Sequence, residues 1–206
     1  IRIESSQPLT TAAEMEIHPA VSPDGRFVVY AAGTSAGMRL YLRTVDGGRT
    51  IPLTDDSTAV EEHPRWSADG NRILFLSGGS VMTVSALGGT VTRAAGPGAG
   101  VSVTAATWSP DGNEIAVARG TSLAVVQVDS GVERAVTENP SDLTSCVWSS
   151  VSAHVACVGG NAGYSSPGSL FGNLAPSSIV SINIDDGTTR EVLPPVAMNQ
   201  SPVWSA

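Results

Sequence analysis

The apolar positions of this chain fall into short runs separated by clusters of Gly, Asp, Pro and Ser. "RFVVYAA", "RILFLS", "EIAVAR" and "HVACVG" are compact apolar runs. Each precedes a more alternating one: "MRLYLRTV", "SVMTVSA", "SLAVVQV" and "SIVSINI". Gly-bearing turns follow ("DGG", "LGG", "DSG", "DDG"), and then polar, β-branched pieces: "RTIPLT", "TVTRAA", "VERAVT" and "TREVLP". Period-two runs rich in Val, Ile and Thr and bounded by turn residues predict strands and hairpins. No stretch of about ten residues carries the helical period, so the pattern predicts an all-β chain.

A turn precedes each compact run. The frames "AVSPDG", "RWSADG", "TWSPDG", "CVWSSVS" and a terminal "VWSA" align on Val21, Trp66, Trp108, Trp148 and Trp204, in steps of 45, 42, 40 and 56 residues. A period of about 40–45 residues with four strands per unit is the signature of propeller blades. The sequence therefore predicts one domain, 1–206: a β-propeller of four-stranded antiparallel blades at 18–54, 63–95, 104–137 and 144–193. Residues 1–10 read as the outer strand of a split blade, and 201–206 as the start of a further one. Four whole blades and two fragments do not close a ring in this reading. Either further blades lie beyond these residues, or a second copy closes the arc by self-association.

The repeated turn has a physical reading of its own. In "SPDG", Pro23 has its φ preset for the second position of a type I turn, and Asp24 can accept from nearby backbone N–H groups. Gly25 supplies the left-handed residue of a bulged three-residue hairpin. Asp24, Asp69 and Asp111 are thus hinge residues rather than catalytic ones. The fourth unit, "WSSVSAH", lacks the Asp-Gly pair and must turn by another geometry.

"HPAVSPDGRFVVYAA", "HPRWSADGNRILFLS" and "ATWSPDGNEIAVAR" resemble the TolB-type, WD-repeat-like β-propeller repeat. The resemblance covers nearly the whole chain and implies a propeller. It is nearly silent on function. The family includes the periplasmic TolB propeller, propellers that gate prolyl-oligopeptidase-type enzymes, and sensor or scaffold modules of bacterial regulators.

Composition narrows the partners. The chain carries 11 basic and 19 acidic residues, a formal net charge of −8, and no Lys at all. An acidic chain without a basic cluster is a poor binder of phosphate backbones, so nucleic acid is not an expected partner. No apolar run is long enough to span a bilayer as a helix.

Candidate chemistry is sparse. "GTSAG" matches the G-x-S-x-G elbow, but that motif needs a strand-to-helix turn, so Ser35 is not read as a nucleophile. "GPGAG", 96–100, lacks the Lys and helix of a phosphate loop and reads as a linker. His154 sits in an apolar strand and reads as structural. His18 and His63 occupy equivalent positions on neighbouring inner strands, with Glu16, Glu61 and Glu62 beside them. Inner strands line a propeller's channel, so His18, His63, Glu16 and Glu62 are candidate ligands for a divalent cation there. The competing reading is that His-Pro simply begins the strand, with the imidazole bonded to the next blade; the spacing matches no compact metal motif. The 160–178 insertion accounts for the 56-residue step, and its Tyr164, Leu170 and Phe171 are candidate partner contacts. Cys146 and Cys157 fall opposite each other if the "SSVS" hairpin is centred between Val151 and Ser152. They read either as a disulfide, implying an extracytoplasmic home, or as two buried thiols in a reducing cytoplasm.

No nucleophile, base or metal cluster assembles along the chain. The leading expectation is a non-enzymatic binding, sensing or scaffold module of a bacterial envelope or signalling protein, with no cofactor, using a propeller face for a protein or small ligand. The alternatives are the accessory propeller of a prolyl-oligopeptidase-type peptidase, and a propeller hydrolase or lactonase with a channel metal.

Overall fold

The computed structural model describes residues 8–204 apart from 12, 35, 56–58, 161–174, 197–198 and 200. Among the described residues, four antiparallel sheets of four strands follow one another as blades of a β-propeller. The first blade is β1 (Met15–Val21), β2 (Phe27–Thr34), β3 (Gly37–Thr44) and β4 (Ile51–Pro52). The second is β5 (Glu61–Trp66), β6 (Arg72–Ser77), β7 (Ser80–Ser85) and β8 (Thr92–Ala95). The third is β9 (Ala105–Trp108), β10 (Glu114–Arg119), β11 (Ser122–Gln127) and β12 (Glu133–Glu138). The fourth is β13 (Leu143–Trp148), β14 (His154–Gly159), β15 (Ser178–Asn183) and β16 (Thr189–Leu193). Strands within each sheet lie in chain order, as successive hairpins require.

The hairpin between β1 and β2 shows how the repeated turn is built. The Ser22 hydroxyl donates to Asp24 Oδ1 (2.6 Å) and accepts from the Phe27 N–H (2.9 Å), while Asp24 Oδ1 also accepts from the Arg26 N–H (3.0 Å). Gly25 stands at φ 73° and donates to the Ser22 carbonyl. The same bonds recur at Ser67, Asp69 and Arg72, and at Ser109, Asp111 and Glu114. These hydroxyl and N–H donors hold all three carboxyls below the usual carboxylate range. In the fourth blade Ser149 takes the hinge alone, accepting from the Val151 N–H and the Ser152 hydroxyl.

Each sheet is apolar on both faces, so blades bury one another. Val29, Ala31, Leu40 and Leu42 of the first pack with Ile73, Phe75 and Val84 of the second. Leu74, Leu76 and Val81 meet Ile115, Val117 and Val126 of the third, whose other face, Ala116, Leu123 and Val125, meets Val155, Val180 and Ile182 of the fourth. The repeated Trp adds a directional tie. Trp66 Nε1 donates to the Ala20 carbonyl (3.0 Å) and Trp108 Nε1 to the Arg65 carbonyl (3.2 Å), each one blade back. Trp204 does the same to Val147 (3.0 Å), although residues 201–204 pair with no strand.

Inner strands carry a second repeated device. The ladder of β1 on β2 skips between Ile17 and Ala20, that of β5 on β6 between Glu62 and Arg65, and that of β13 on β14 between Thr144 and Val147. Each skip is a β-bulge whose first unpaired residue is left-handed: His18 at φ 54°, His63 at 53° and Ser145 at 47°. Ser201, at the equivalent place, has φ 46°. The residue after it has no ladder partner, so Pro19, Pro64 and Pro202 sacrifice no hydrogen bond there. In the third blade Ala105–Ala106 replaces the pair, and β9 runs against β10 without a skip.

Cys146 occupies the proline place of the fourth bulge. It is bonded to Cys157, with the Cα atoms 4.1 Å apart. The two cysteines thus form a disulfide rather than a pair of buried thiols. The 96–100 linker wraps a side chain rather than an anion: Arg119 Nε donates to the Gly96 carbonyl (2.8 Å), and its guanidinium pairs with Glu133. Residues 1–7, Ser35, and Tyr164, Leu170 and Phe171 of the insertion lie outside the described residues.

Replacing Trp66 by Phe deletes the indole N–H together with part of the ring that packs against the blade cluster. Stability should fall by about 1–3 kcal/mol, one hydrogen bond plus the lost apolar volume, as read by urea unfolding. An unchanged midpoint would show that neither the bond nor the indole's packing joins the blades.

Candidate functional site

The bulges decide what faces the channel. A left-handed residue costs a non-Gly side chain about 1 kcal/mol or more, and here it recurs at the same inner-strand place. The residues it presents line a cavity of about 470 Å³. Its walls come from His18 and Ala20 of β1, His63 and Arg65 of β5, Ser145 of β13, and Asn199, Ser201, Pro202 and Val203 near the end of the chain.

His18 and His63 meet inside it. Their rings stack with centroids 3.7 Å apart and planes inclined by 26°, and the His63 backbone N–H donates to His18 Nδ1 (3.3 Å). A neutral imidazole whose Nδ1 accepts carries its proton on Nε2. Burial, His63 and Arg65 together lower His18 to about 4, so it is uncharged at neutral pH. Glu62 comes close: ligating atoms of His18, Glu62 and His63 lie within 4.8 Å of one another. Burial raises its carboxyl to about 7, and its Oε2 has no hydrogen-bond partner among the described residues.

The other acidic candidates go elsewhere. Glu16 accepts from the Thr10 hydroxyl. Glu61, 3 % exposed, accepts from the Leu40 N–H (3.1 Å) and the Thr54 hydroxyl. Both close the same contact, in which a Thr after "PL" meets the glutamate at the head of the next inner strand. Of the four candidate ligands, the structure thus gathers His18, His63 and Glu62 and leaves Glu16 apart. His154 lines a separate cavity on the fourth blade with Ser181, Asn183 and Arg190.

Sequence reasoning missed Arg65. It precedes Trp66 and reads there as one more inner-strand residue. Arg65 lines the channel cavity, has no anionic partner among the described residues, and is shifted downward by burial. The only advance signal was its setting: a lone Arg where the aligned residues are Ala20, Thr107, Val147 and Val203.

The two buried titrating groups act on stability in opposite directions. His18 is lowered from 6.5 to about 4, so the unfolded chain binds the extra proton in that window and His18 favours the fold more as pH rises. Glu62 is raised from 4.5 to about 7, so its contribution is present at low pH and lost as pH climbs to 7. Between 4.5 and 6.5 the two slopes oppose each other. Against the parent, Glu62→Gln should therefore steepen the rise of stability with pH in this window, and His18→Gln should turn it toward a fall. Urea unfolding of the three proteins at several pH values checks both; parallel curves would contradict the assignment.

No family model matches the chain, and no curated protein matches it. Solved structures do. TolB from Acinetobacter baumannii superposes with a TM-score of 0.70 at 17 % identity, over 93 % of this chain and 46 % of that one. An oligogalacturonate lyase in complex with manganese gives 0.62 at 12 % identity, over 84 % and 50 %. A puromycin-hydrolyzing peptidase from Mycobacterium tuberculosis gives 0.66 at 17 % identity, over 94 % and 31 %. The chain thus spans about half the length of the TolB and lyase structures, and what it shares with all three is the fold: a TolB-like β-propeller built of four-stranded antiparallel blades.

Proposed function

We propose that this chain is a non-enzymatic recognition module that takes its target, a protein or small ligand, at the channel mouth of the propeller. The observation that carries the reading is the cavity of about 470 Å³ where three inner strands and residues Asn199 and Ser201 converge, each presenting a polar or charged side chain. The carboxylates of Asp24, Asp69 and Asp111 are engaged by their own turns, which leaves them poor proton carriers. The Cys146–Cys157 bond supports an extracytoplasmic setting, because such bonds persist in oxidising compartments. Among the described residues no helix is long and apolar enough to cross a membrane.

A second reading has one observation in its favour. The close approach of His18, Glu62 and His63, together with the manganese of the lyase structure, fits an enzyme with a channel metal. Both readings use the same cavity, so the place of binding is common to them.

Photocrosslinking tests the place. A benzophenone side chain at Ala20, in the cavity, is compared with one at Val151, an exposed hairpin position 82 % accessible. In an envelope extract the Ala20 probe should yield a discrete adduct that excess unlabelled protein suppresses, and the Val151 probe should not. Suppressible adducts at Val151 alone would overturn the channel-mouth reading.

A further inference from the structure

The channel cavity holds one permanent charge, and among the described residues that charge has no counter-ion. Arg65 lines the cavity, and none of the described carboxylates lies within ion-pair distance of it. A half-buried guanidinium without a counter-ion is a ready partner for an anion from solution, because its hydration is already thinned and a charge-assisted pair can replace it. Around it stand further groups suited to an anion. Ser145 and Ser201 border the same cavity, and neither side chain makes a hydrogen bond among the described residues. Glu62, the nearest carboxyl of the His cluster, is pushed toward its neutral form by burial rather than drawn into a pair with Arg65.

The same cluster is less well formed for a cation. A metal lies in the plane of each imidazole that binds it. The His18 and His63 planes are inclined by only 26° with the rings face to face, so their in-plane lone pairs do not meet at one point. His18 Nδ1 is already occupied by the His63 N–H, and Arg65 adds positive charge beside His18. A dication would have to open the stack against that field.

Resting on the channel-mouth reading, we propose that this cavity binds a carboxylate group, with the Arg65 guanidinium as its anchor and the Ser145 and Ser201 hydroxyls as flanking donors. A planar carboxylate accepts two parallel N–H bonds from one guanidinium, which is the donor geometry Arg65 offers. A phosphate dianion calls for more than one cation, and the chain, at a net charge of −8, repels it more strongly. The carboxylate could belong to a free small acid or to an acidic side chain of a protein, and the experiment separates the two.

The purified, disulfide-intact chain, labelled with ¹⁵N, is titrated with sodium succinate and with blocked Gly-Gly-Glu-Gly-Gly and Gly-Gly-Gln-Gly-Gly peptides in physiological salt. The Arg65 Nε–H and the Ser145 and Ser201 amides should shift together and saturate at millimolar succinate. Saturation by the Glu peptide at lower concentration than succinate, with the Gln peptide inert, assigns the site to a protein carboxylate. Succinate binding more tightly than the Glu peptide assigns it to a free acid. Arg65→Gln should weaken either at least about tenfold, a loss within the usual worth of a charge-assisted bond. Should that variant fail to fold, Ser201→Ala, at an exposed position, still reads the site through a smaller loss. No saturable shift at Arg65 up to about 50 mM, a concentration that would detect affinity some tenfold weaker than expected, overturns the proposal. So does a response to Zn²⁺ at the His18 and His63 rings with none to carboxylates. Neither failure bears on where the photocrosslinker reacts, so the channel-mouth reading stands or falls separately.

Discussion

A four-stranded antiparallel sheet with two apolar faces cannot be stable alone, and this constraint organises the whole molecule. β2, β6, β10 and β14 are buried nearly end to end because each lies between two neighbours. Their sequences accordingly lose the polar-apolar alternation of a half-exposed strand and read as compact apolar runs. The outer strands keep one free edge and stay polar, as the fully exposed β16 shows. Stacking alone would leave blades free to slide; the indole bonds of Trp66 and Trp108 to inner-strand carbonyls fix their register.

The same stacking brings the inner strands side by side and makes their bulges functional. His18 and His63 are 45 residues apart, yet identical backbone geometry at identical blade positions brings their rings into contact. Proline after each histidine is tolerated because the bulge has already removed the ladder partner. Cys146 exploits the same vacancy: it stands across from Cys157 where the first two blades carry proline, so the disulfide is a local replacement for a repeated element. It also lies one hinge away from the turn that lost its Asp-Gly pair.

The architecture was legible because every level repeated the same statement. Strand patterns, the Ser-x-Asp-Gly hinge and the Trp spacing all demand four-stranded units, and the Cys146–Cys157 facing followed from simple hairpin counting. The site was legible only in part. His18 and His63 announced themselves by equivalence, but their stacking depended on two left-handed residues that no residue preference signals. Glu16 and Glu61 sat next to those histidines in sequence and face away from them. The alternation of side chains along a strand, broken by a bulge immediately after them, sends Glu62 toward the cluster and Glu61 to Thr54. Arg65 escaped notice because its importance lies in what it lacks, a counter-ion, which is a property of the packed molecule.

A neutral histidine, its stacked partner and a guanidinium with no counter-ion among the described residues share one cavity. ¹H–¹⁵N correlation of the imidazole side chains as a function of pH tests this most directly. His18 should remain the Nε2–H tautomer through neutral pH and take up its proton only near pH 4. Titration of His18 close to 6.5, the value of a free imidazole, would contradict it.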